Sequence, residues 1–381
     1  MKTALVIERF DRRLGGAAQW THQFAQWLLL QGCQVHILAR EFGEAELSLT
    51  IEPHFLPGGR SPFLFAKAVE RYLPKICPNI THDMGDSWSG NVFQPHYGSR
   101  LANRERNNAR RPKWQQGLRQ QIIRRLPRYQ HIDQFVAHQY ASHQRIYVAL
   151  SKMVARDLQR YHDVPPHLIQ IVRNGVDTER FSPKSCFQHR SRIRNYLKIS
   201  DHEVLLLFVA HNFQLKGLPN LLRAHRTLIQ QGCPVRLVVC GGRHLRGPFP
   251  KTVVDESVWI LGPVEDTVPF YAAADIYVHP TYYDACSLVV LEAMACGLPA
   301  ITTTWNGAGE LISNGREGFI IPNPNDTDLL VQHLRTLLHP AQRQTMGREA
   351  RKLMENHSTD HNFRQFWEIY EKFLATRSRA A

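Results

Sequence analysis

Short apolar runs alternate with amphipathic stretches along most of the chain. Residues 3–8 and 34–39 are largely apolar runs of the kind that form buried strands, and residues 17–31 between them repeat apolar positions at helical spacing. The same order recurs at residues 146–161 and again from residue 204. Strands that alternate with helices predict a doubly wound α/β fold with parallel sheets.

The chain is long enough for two such domains. Its 381 residues exceed the usual size of a single hydrophobic core. Two similar stretches, LLLQGCQVHILA near residue 30 and LIQQGCPVRLVVC near residue 230, each predict a helix, a glycine stop and a strand. We predict an N-terminal domain over residues 1–173 and a C-terminal domain over residues 174–357, facing each other across a cleft. A final helix over residues 358–381 has an aromatic face, which we expect to pack back on the N-terminal domain.

One crossover in the second half of the chain carries two carboxylates. An apolar strand pattern leads into a loop with Asp284, and a helix that begins near Ser287 carries Glu292. The N–H groups of a first helical turn lack helical partners and favour an anion such as a phosphate. An ordinary crossover, whose carboxylates cap and solvate a helix, has the same pattern. This segment alone leaves both interpretations open.

Further ligand-suited residues follow other predicted strands. Gly15 and Gly16 separate the first strand from the first helix, where a glycine turn lets the backbone approach a ligand. Lys216 follows the strand at residues 204–210 and directs its ammonium to the edge where α/β sheets bind ligands. His96 lies in a turn after an apolar pair. Each has an ordinary structural alternative, but together they favour a ligand site at the strand ends.

The formal net charge of +14 is concentrated in residues 100–128, which hold ten Lys and Arg residues against one acid. Trp114, Leu118, Ile122 and Leu126 recur every four residues and predict an apolar stripe on a basic helix. We expect an anionic membrane as the partner of this surface; a stripe packed on the protein's own domain is the alternative. Nucleic acid ranks lower because interleaved aromatic residues are lacking. The residues that form this basic patch are Arg104, Arg106, Arg110, Arg111, Lys113, Arg119, Arg124 and Arg125.

The remaining composition favours a cytoplasmic protein without a metal. No apolar run reaches the roughly 18 residues that span a bilayer, and charged residues follow the short apolar start, unlike a signal peptide. The seven cysteines are scattered, and no Cys or His pair has the spacing of a zinc site. We expect no metal and no cofactor, and a protein peripheral on the inner face of the cytoplasmic membrane.

These motifs together resemble glycosyltransferase family 4, a retaining family with the two-domain GT-B architecture. The motifs that carry the resemblance are Gly15-Gly16, IVRNGVDTERFSP at 171–183, FVAHNFQLKG at 208–217, LVVCGG at 237–242, the strand at 259–262 and the carboxylate segment at 275–302. Within the family, the chain most resembles bacterial enzymes that add glucose to the inner core of lipopolysaccharide. Those enzymes have a similar basic amphipathic insertion.

The resemblance implies a UDP-sugar donor and a glycolipid acceptor. It implies that Glu292 binds the ribose and that Lys216 binds the donor diphosphate. Ser287 stands where glycine is common. The resemblance implies that its backbone N–H, with those of Leu288 and Val289, faces the donor sugar or phosphate.

The other motif residues are assigned in the same way. Asp284 matches the first acid of an E-x7-E motif beside the donor sugar, but it is Asp where Glu is usual. His211 stands where many members have arginine. His96 matches a histidine near the reacting face of the sugar, and Gly16, with Gly15 before it, matches a loop that closes over the diphosphate.

The implied reaction is a retaining transfer of a hexose. The acceptor hydroxyl attacks from the face that UDP leaves, and the departing phosphate oxygen takes the proton. Two other functions stay open on the sequence. One is a nucleotide-sugar-modifying enzyme such as an epimerase, and the other is a non-catalytic, membrane-binding relative.

Overall fold

The chain folds into two units in a computed structural model. The structure describes residues 1–47, 49–59, 61–142, 144–242 and 257–380. At residues 124 and 378–380 it describes the backbone alone. Unit 1 comprises Met1–Val172 and the residues from Phe363 onward, and unit 2 comprises Arg173–Asn362. The sequence placed these divisions after residues 173 and 357. Each unit is a Rossmann-like α/β domain.

Within the described residues, unit 1 contains a seven-stranded parallel sheet and a short parallel pair. The strands are β1 (Lys2–Val6), β2 (Arg9–Phe10), β3 (Gln34–Ala39), β4 (Glu41–Phe42), β5 (Glu52–Phe55), β6 (Ile80–Asp83), β7 (Val92–Phe93), β8 (Ile146–Ala149) and β9 (Ile169–Ile171). The main sheet has the order β5-β3-β1-β6-β7-β8-β9, and β2 pairs with β4. Because β1 lies inside the sheet with β3 and β6 on either side, its carboxyl end is flanked by both neighbouring strand ends.

The crossovers of unit 1 are helical. They are α1 (Gly16–Leu30), α2 (Pro62–Ile76), α3 (Arg100–Asn108), α4 (Lys113–Arg125), α5 (Pro127–Tyr140) and α6 (Lys152–His162). The basic segment, for which the stripe predicts one helix, is therefore divided among three. Pro112 is the N-cap of α4 and Pro127 is the first residue of α5. Proline cannot continue a preceding helix, so the chain turns at both positions.

In unit 2, the described part of the chain forms a six-stranded parallel sheet. Its strands are β10 (Val204–Ala210), β11 (Val235–Gly241), β12 (Val258–Gly262), β13 (Ile276–His279), β14 (Ala300–Thr303) and β15 (Gly318–Ile321), in the order β12-β11-β10-β13-β14-β15. The order reverses at β10, whose neighbours are β11 and β13. Ligands of open α/β sheets bind beyond the carboxyl ends of the strands at such a reversal.

The helices of unit 2 cover the two faces of this sheet. They are α7 (Pro183–Phe187), α8 (Arg190–Tyr196), α9 (Leu218–Gln230), α10 (Val268–Ala273), α11 (Leu288–Ala295), α12 (Thr327–Leu337) and α13 (Pro340–Glu355). The sheet and its helices enclose one apolar core that includes Phe208, Leu221 and Leu334. Among the helices that the structure describes, none combines the length and the apolar character needed to cross a membrane.

The C-terminal helix, α14 (Thr359–Ala380), contributes its aromatic face to the core of unit 1. Phe366 lies 5.0 Å from the ring of Trp20 on α1, between ring centroids. The Tyr370 hydroxyl lies 2.7 Å from Nδ1 of His82 in β6. Burial lowers the pKa of His82 to about 3, so this imidazole is neutral at physiological pH. The aromatic side chains of this helix thus pack into the core of unit 1.

Candidate functional site

The loop after β10 lies directly against the end of β13. Gly217 has a φ of 84°, and a Cβ at this position would lie 2.0 Å from the carbonyl oxygen of Pro280. Only glycine tolerates both the positive φ and this contact. Beside it, the N–H of Tyr282 donates to the carbonyl oxygen of Leu215 at 2.9 Å. The residue between, Lys216, is thereby held next to the loop that carries the first carboxylate.

Lys216 and Asp284 form an ion pair in this structure. Nζ of Lys216 donates to Oδ2 of Asp284 at 2.6 Å and to the carbonyl oxygen of Tyr283 at 2.9 Å. Nε2 of His279, at the end of β13, lies 3.5 Å from the same carboxylate oxygen. Burial alone would raise the pKa of Asp284, but the Lys216 ammonium and His279 outweigh it and hold that pKa well below its usual range. Asp284 is therefore ionised at neutral pH.

Helix α11 begins where the sequence predicts, with Ser287 as its N-cap. The amides of Leu288 and Val289 lie in the first turn, where the helix itself supplies no acceptor. Two contacts fix the loop before it. The N–H of Ser287 donates to Oδ1 of Asn306 at 3.3 Å, and the N–H of Asp284 donates to the carbonyl oxygen of Trp305 at 3.0 Å. The helix terminus and its carboxylate are thus fastened to the segment that follows β14.

Glu292 lies in the second turn of α11 and is buried. The Tyr271 hydroxyl donates to its Oε2 at 2.9 Å. Burial raises the pKa of Glu292 to about 7, although the Tyr271 hydrogen bond and the charge of Arg180 act in the opposite direction. Near neutral pH this carboxyl is poised between its two protonation states. A ligand whose hydroxyl groups donate to it would favour the ionised form.

The predicted residues of unit 1 meet on α1. Gly15 is the N-cap of this helix with a φ of 137°, and Gly16 is its first residue. The ring centroid of His96 lies 5.0 Å from that of Trp20, on the next turn of the helix. Burial lowers the pKa of His96 to about 3, and its Nε2 has no hydrogen-bond partner among the residues that the structure describes. His96 is therefore a neutral group packed against α1 about one turn after the glycines.

The remaining predicted donor residue, His211, follows the last residue of β10 and is exposed. It stands at the same strand end as Lys216, five residues earlier in the chain. Within unit 2, the sheet thus brings together His211, Lys216, Asp284 and the start of α11 at the reversal of strand order. Among the described residues, no group of three or more His, Cys, Asp or Glu is arranged to hold a metal ion.

The basic patch is only partly available for a ligand. Arg104 makes two hydrogen bonds to Asp133, at 2.7 and 3.1 Å, and Arg106 makes two to Asp157, both at 2.7 Å. These bidentate pairs tie α3 to α5 and α6, so the two arginines already have carboxylate partners within unit 1. Arg110 and Arg119 are half-buried, and the side chain of Arg124 lies outside the described part. The exposed cations of the patch are Arg111, Lys113 and Arg125.

The apolar stripe beside these cations faces solvent. Trp114 is 75% exposed, Leu118 58%, Ile122 51% and Leu126 44%. The alternative in which the stripe packs on its own domain is therefore wrong. The buried residue of α4 is Ile123, on the opposite side of the helix from Trp114 and Leu118. Exposed apolar side chains flanked by exposed cations are typical of a helix that binds an anionic membrane surface.

Several contributing residues were missed at the level of sequence. The sequence signal for His279 is similar to that for Lys216, because His279 ends a strand and Lys216 follows one, both next to the reversal of strand order. Tyr271 has none, since it reaches Glu292 from a helix 21 residues upstream. Asn306 resembles any turn residue until its contact with Ser287 is seen. Side chains brought in from separate elements leave no local pattern.

Two family models match the chain. The model described as glycosyltransferase family 4 matches residues 14–180, and the model described as glycosyl transferases group 1 matches residues 203–340. The chain belongs to the family 4 and group 1 glycosyltransferases. The resemblance that the motifs indicate is thereby confirmed. Most of the first matched region lies in unit 1, and the second matched region lies in unit 2.

Curated relatives of this glycosyltransferase match over part of their length. It is 30% identical over 236 residues to a D-inositol 3-phosphate glycosyltransferase of Saccharomonospora viridis. The matched region covers 58% of this chain and 54% of the relative. It is 24% identical over 208 residues to the capsular polysaccharide biosynthesis glycosyltransferase CapM of Staphylococcus aureus, covering 53% of each. The chain spans about half the length of the curated relatives it matches.

Solved structures resemble this glycosyltransferase over nearly its whole length. WaaG, a glycosyltransferase involved in lipopolysaccharide biosynthesis, has a TM-score of 0.78 at 19% identity, covering 97% of this chain and 99% of that one. Anabaena HepE in complex with UDP and glucose has a TM-score of 0.70 at 17% identity, covering 98% and 100%. These likenesses show the fold, which is GT-B with two Rossmann-like domains.

The raised pKa of Glu292 predicts that the free energy of unfolding of unit 2 depends on pH. The carboxyl binds its proton more tightly when folded, with a pKa of about 7 against an ordinary 4.5. Stability is therefore lost as the pH rises from 4.5 through 7. Relative to the parent, Glu292→Gln should gain about 2–3 kcal/mol of unfolding free energy between pH 5 and pH 8.

Urea unfolding followed by circular dichroism at both pH values measures this difference. Glu265→Gln, at an exposed carboxyl of the same unit, is the matched control and should leave the pH dependence unchanged. If the parent and Glu292→Gln lose stability equally between pH 5 and pH 8, the buried carboxyl does not carry the effect.

Proposed function

We propose that the chain is a retaining glycosyltransferase that moves a hexose, which we take to be glucose, from a UDP-sugar to a hydroxyl of a membrane-associated glycolipid or lipopolysaccharide core. The observation that carries this proposal is the grouping of Lys216, Asp284 and the start of α11 where the strand order of unit 2 reverses. Two structural neighbours support it, since HepE was solved with UDP and glucose and WaaG is involved in lipopolysaccharide biosynthesis.

The donor site is assigned to unit 2 in three parts. Glu292 accepts hydrogen bonds from the ribose hydroxyls, for which its buried, poised carboxyl is suited. The first-turn amides of Leu288 and Val289 donate to a phosphate or sugar oxygen. Lys216 offsets the charge of the diphosphate while keeping Asp284 beside it. Asp284 is then the acidic neighbour of the transferred sugar.

In the proposed reaction, the bond between the sugar's anomeric carbon and the phosphate oxygen breaks as the acceptor oxygen attacks from the same face. The acceptor proton passes to the departing phosphate oxygen. Enzymes lower barriers by at least about 8 kcal/mol, and a helix terminus supplies at most about 2 kcal/mol. Lys216 and aligned N–H donors, each worth about 3 kcal/mol by analogy with oxyanion holes, are assigned the rest.

His96 and the glycine turn are assigned to unit 1's share of the reaction. With its pKa lowered to about 3 by burial, His96 is neutral and offers the sugar a hydrogen bond without a charge. Gly15 and Gly16 leave room for the donor at the start of α1. His211 is assigned a polar contact with the diphosphate.

We also propose that the transfer needs no metal or cofactor, and that it takes place at the inner face of the cytoplasmic membrane. The exposed stripe on α4 and the cations Arg111, Lys113 and Arg125 support membrane binding. Each basic residue near an anionic leaflet contributes about 1 kcal/mol. The apolar side chains add burial in the interfacial region.

The proposed activity is tested by incubating the protein with UDP-glucose, a lipid-linked core acceptor and EDTA. We expect UDP release that depends on the acceptor and continues in EDTA, with the anomeric configuration retained in the product. UDP-glucose that binds but is never consumed would support the non-catalytic alternative. Conversion of the sugar without acceptor would support an epimerase instead.

Lys216→Ala tests the role of the ammonium. Because leaving-group charge grows in the transition state, we expect kcat to fall about 100-fold and the Kd for UDP to rise by less than about tenfold. Initial rates and titration calorimetry measure the two quantities. Lys352→Ala, at an exposed lysine of unit 2, is the control. An unchanged kcat in Lys216→Ala would remove Lys216 from the mechanism.

Sedimentation with vesicles tests the membrane surface. The triple variant Trp114→Ser, Leu118→Ser and Ile122→Ser should lose about tenfold in affinity for vesicles containing phosphatidylglycerol. Raising NaCl from 0.1 to 1 M should weaken parent binding, because the Debye length falls from about 10 to about 3 Å. Leu30→Ser, at another exposed leucine of unit 1, is the control. Equal sedimentation with anionic and neutral vesicles would contradict the proposal.

A further inference from the structure

Two segments of unit 2 hold the residues immediately before α11. The first contains Asn174, whose Nδ2 donates to the carbonyl oxygen of Cys286 at 2.8 Å. The second contains Asn306, whose Oδ1 accepts from the N–H of Ser287 at 3.3 Å. The two residues immediately before the helix are thus each held by an asparagine. Whatever side chains these segments carry are brought to the terminus of α11.

Both segments carry a charged residue, and these residues pair with each other. Arg173 precedes Asn174, and its Nη2 donates to Oε2 of Glu310 at 3.1 Å. Glu310 lies in the 3₁₀ turn Gly307–Leu311 that follows the second segment. Burial raises the pKa of the Cys286 thiol to about 12, and the charges of Asp284, Arg173 and Glu310 all act on it. The ion pair therefore lies close to the residue before the N-cap.

Three buried polar atoms in this region lack a partner. They are Nε of Arg173, Oδ1 of Asn174 and Oγ of Ser287, none of which has a hydrogen bond to any residue that the structure describes. Asn174 is 5% exposed and Ser287 is 3% exposed. Polar atoms that are shut off from water normally have partners, because leaving them unpaired costs stability. Two of these atoms can donate a hydrogen bond, so the region is suited to an anionic ligand.

The charge of the neighbouring lysine, Lys216, is not sufficient by itself to bind an anionic ligand. Lys216 is paired with Asp284 at 2.6 Å, so the lysine side of the helix terminus is close to neutral before a ligand binds. A diphosphate carries at least two negative charges and is bound best by several fixed donors. A second fixed cationic donor beside the terminus would complete the site.

We propose that Arg173 is that second cation and binds a phosphate of the nucleotide donor through its Nε–H. This inference rests on the proposed function, which supplies the donor. Glu310 acts as a positioning residue, because its contact with Nη2 fixes the guanidinium while Nε stays without a partner among the described residues. A planar guanidinium held at one edge presents its other donors in a fixed direction. Ser287 Oγ is the third donor to the same phosphate.

Binding of UDP and of uridine to parent and variant proteins tests the assignment. Arg173→Ala should raise the Kd for UDP about tenfold or more, while the Kd for uridine, which has no phosphate, stays within about twofold. Arg173→Lys keeps the charge but loses the directed Nε–H, so it should lie between parent and Arg173→Ala. Glu310→Gln should weaken UDP binding less than Arg173→Ala does.

Arg316→Ala is the matched control, because this arginine also pairs with a glutamate of unit 2, at 2.8 Å, but on an exposed surface. It should leave both Kd values unchanged. If Arg173→Ala does not fold, the test uses Arg173→Lys. This variant is then expected to lose affinity for UDP but not for uridine. A parent that binds UDP while the Arg173 variants bind it equally well overturns this inference alone. A parent that binds no UDP overturns the proposed donor and this inference with it.

Discussion

The close approach of Gly217 to the carbonyl oxygen of Pro280 is the constraint on which the candidate site depends. A Cβ at residue 217 would lie 2.0 Å from that oxygen, so any other residue would push the loop after β10 away from the end of β13. The contact holds Lys216 within 2.6 Å of Asp284. The ionised state of Asp284 follows in turn, because burial without the lysine would raise its pKa.

The parallel sheet of unit 2 explains why these parts meet. Its order reverses at β10, so consecutive stretches of chain leave the sheet on opposite sides and open a space beyond the strand ends. Helix α11 starts at this edge, and Asn174 and Asn306 hold the residues before it. The position of the helix terminus is therefore set by side chains from three separate segments as well as by the strand that precedes it.

The elements were more predictable from the sequence than the contacts. The strands at residues 34–39 and 204–210 agree with the pattern to the residue, because buried parallel strands are continuous apolar runs. The helix that was expected to begin near Ser287 has this residue as its N-cap. The ion pair between Lys216 and Asp284 joins residues 68 apart, and no periodicity encodes such a contact. The apolar stripe was predicted, but it spans only residues 114–126 and so gives no sign of the helix boundaries at Pro112 and Pro127.

The same ion pairing bears on how the proposed donor site divides binding from catalysis. Lys216 is matched by Asp284, and Arg173 is matched by Glu310, so each cation reaches the terminus of α11 with much of its charge already offset. Offset cations hold a ground-state diphosphate less tightly than free ones, and their fixed positions cost little reorganisation when charge grows on the leaving oxygen. A short aspartate at residue 284 keeps its carboxylate on the lysine, whereas a glutamate would carry it one methylene closer to the sugar. In the proposed donor site, the two offset cations therefore favour the transition state over the ground state.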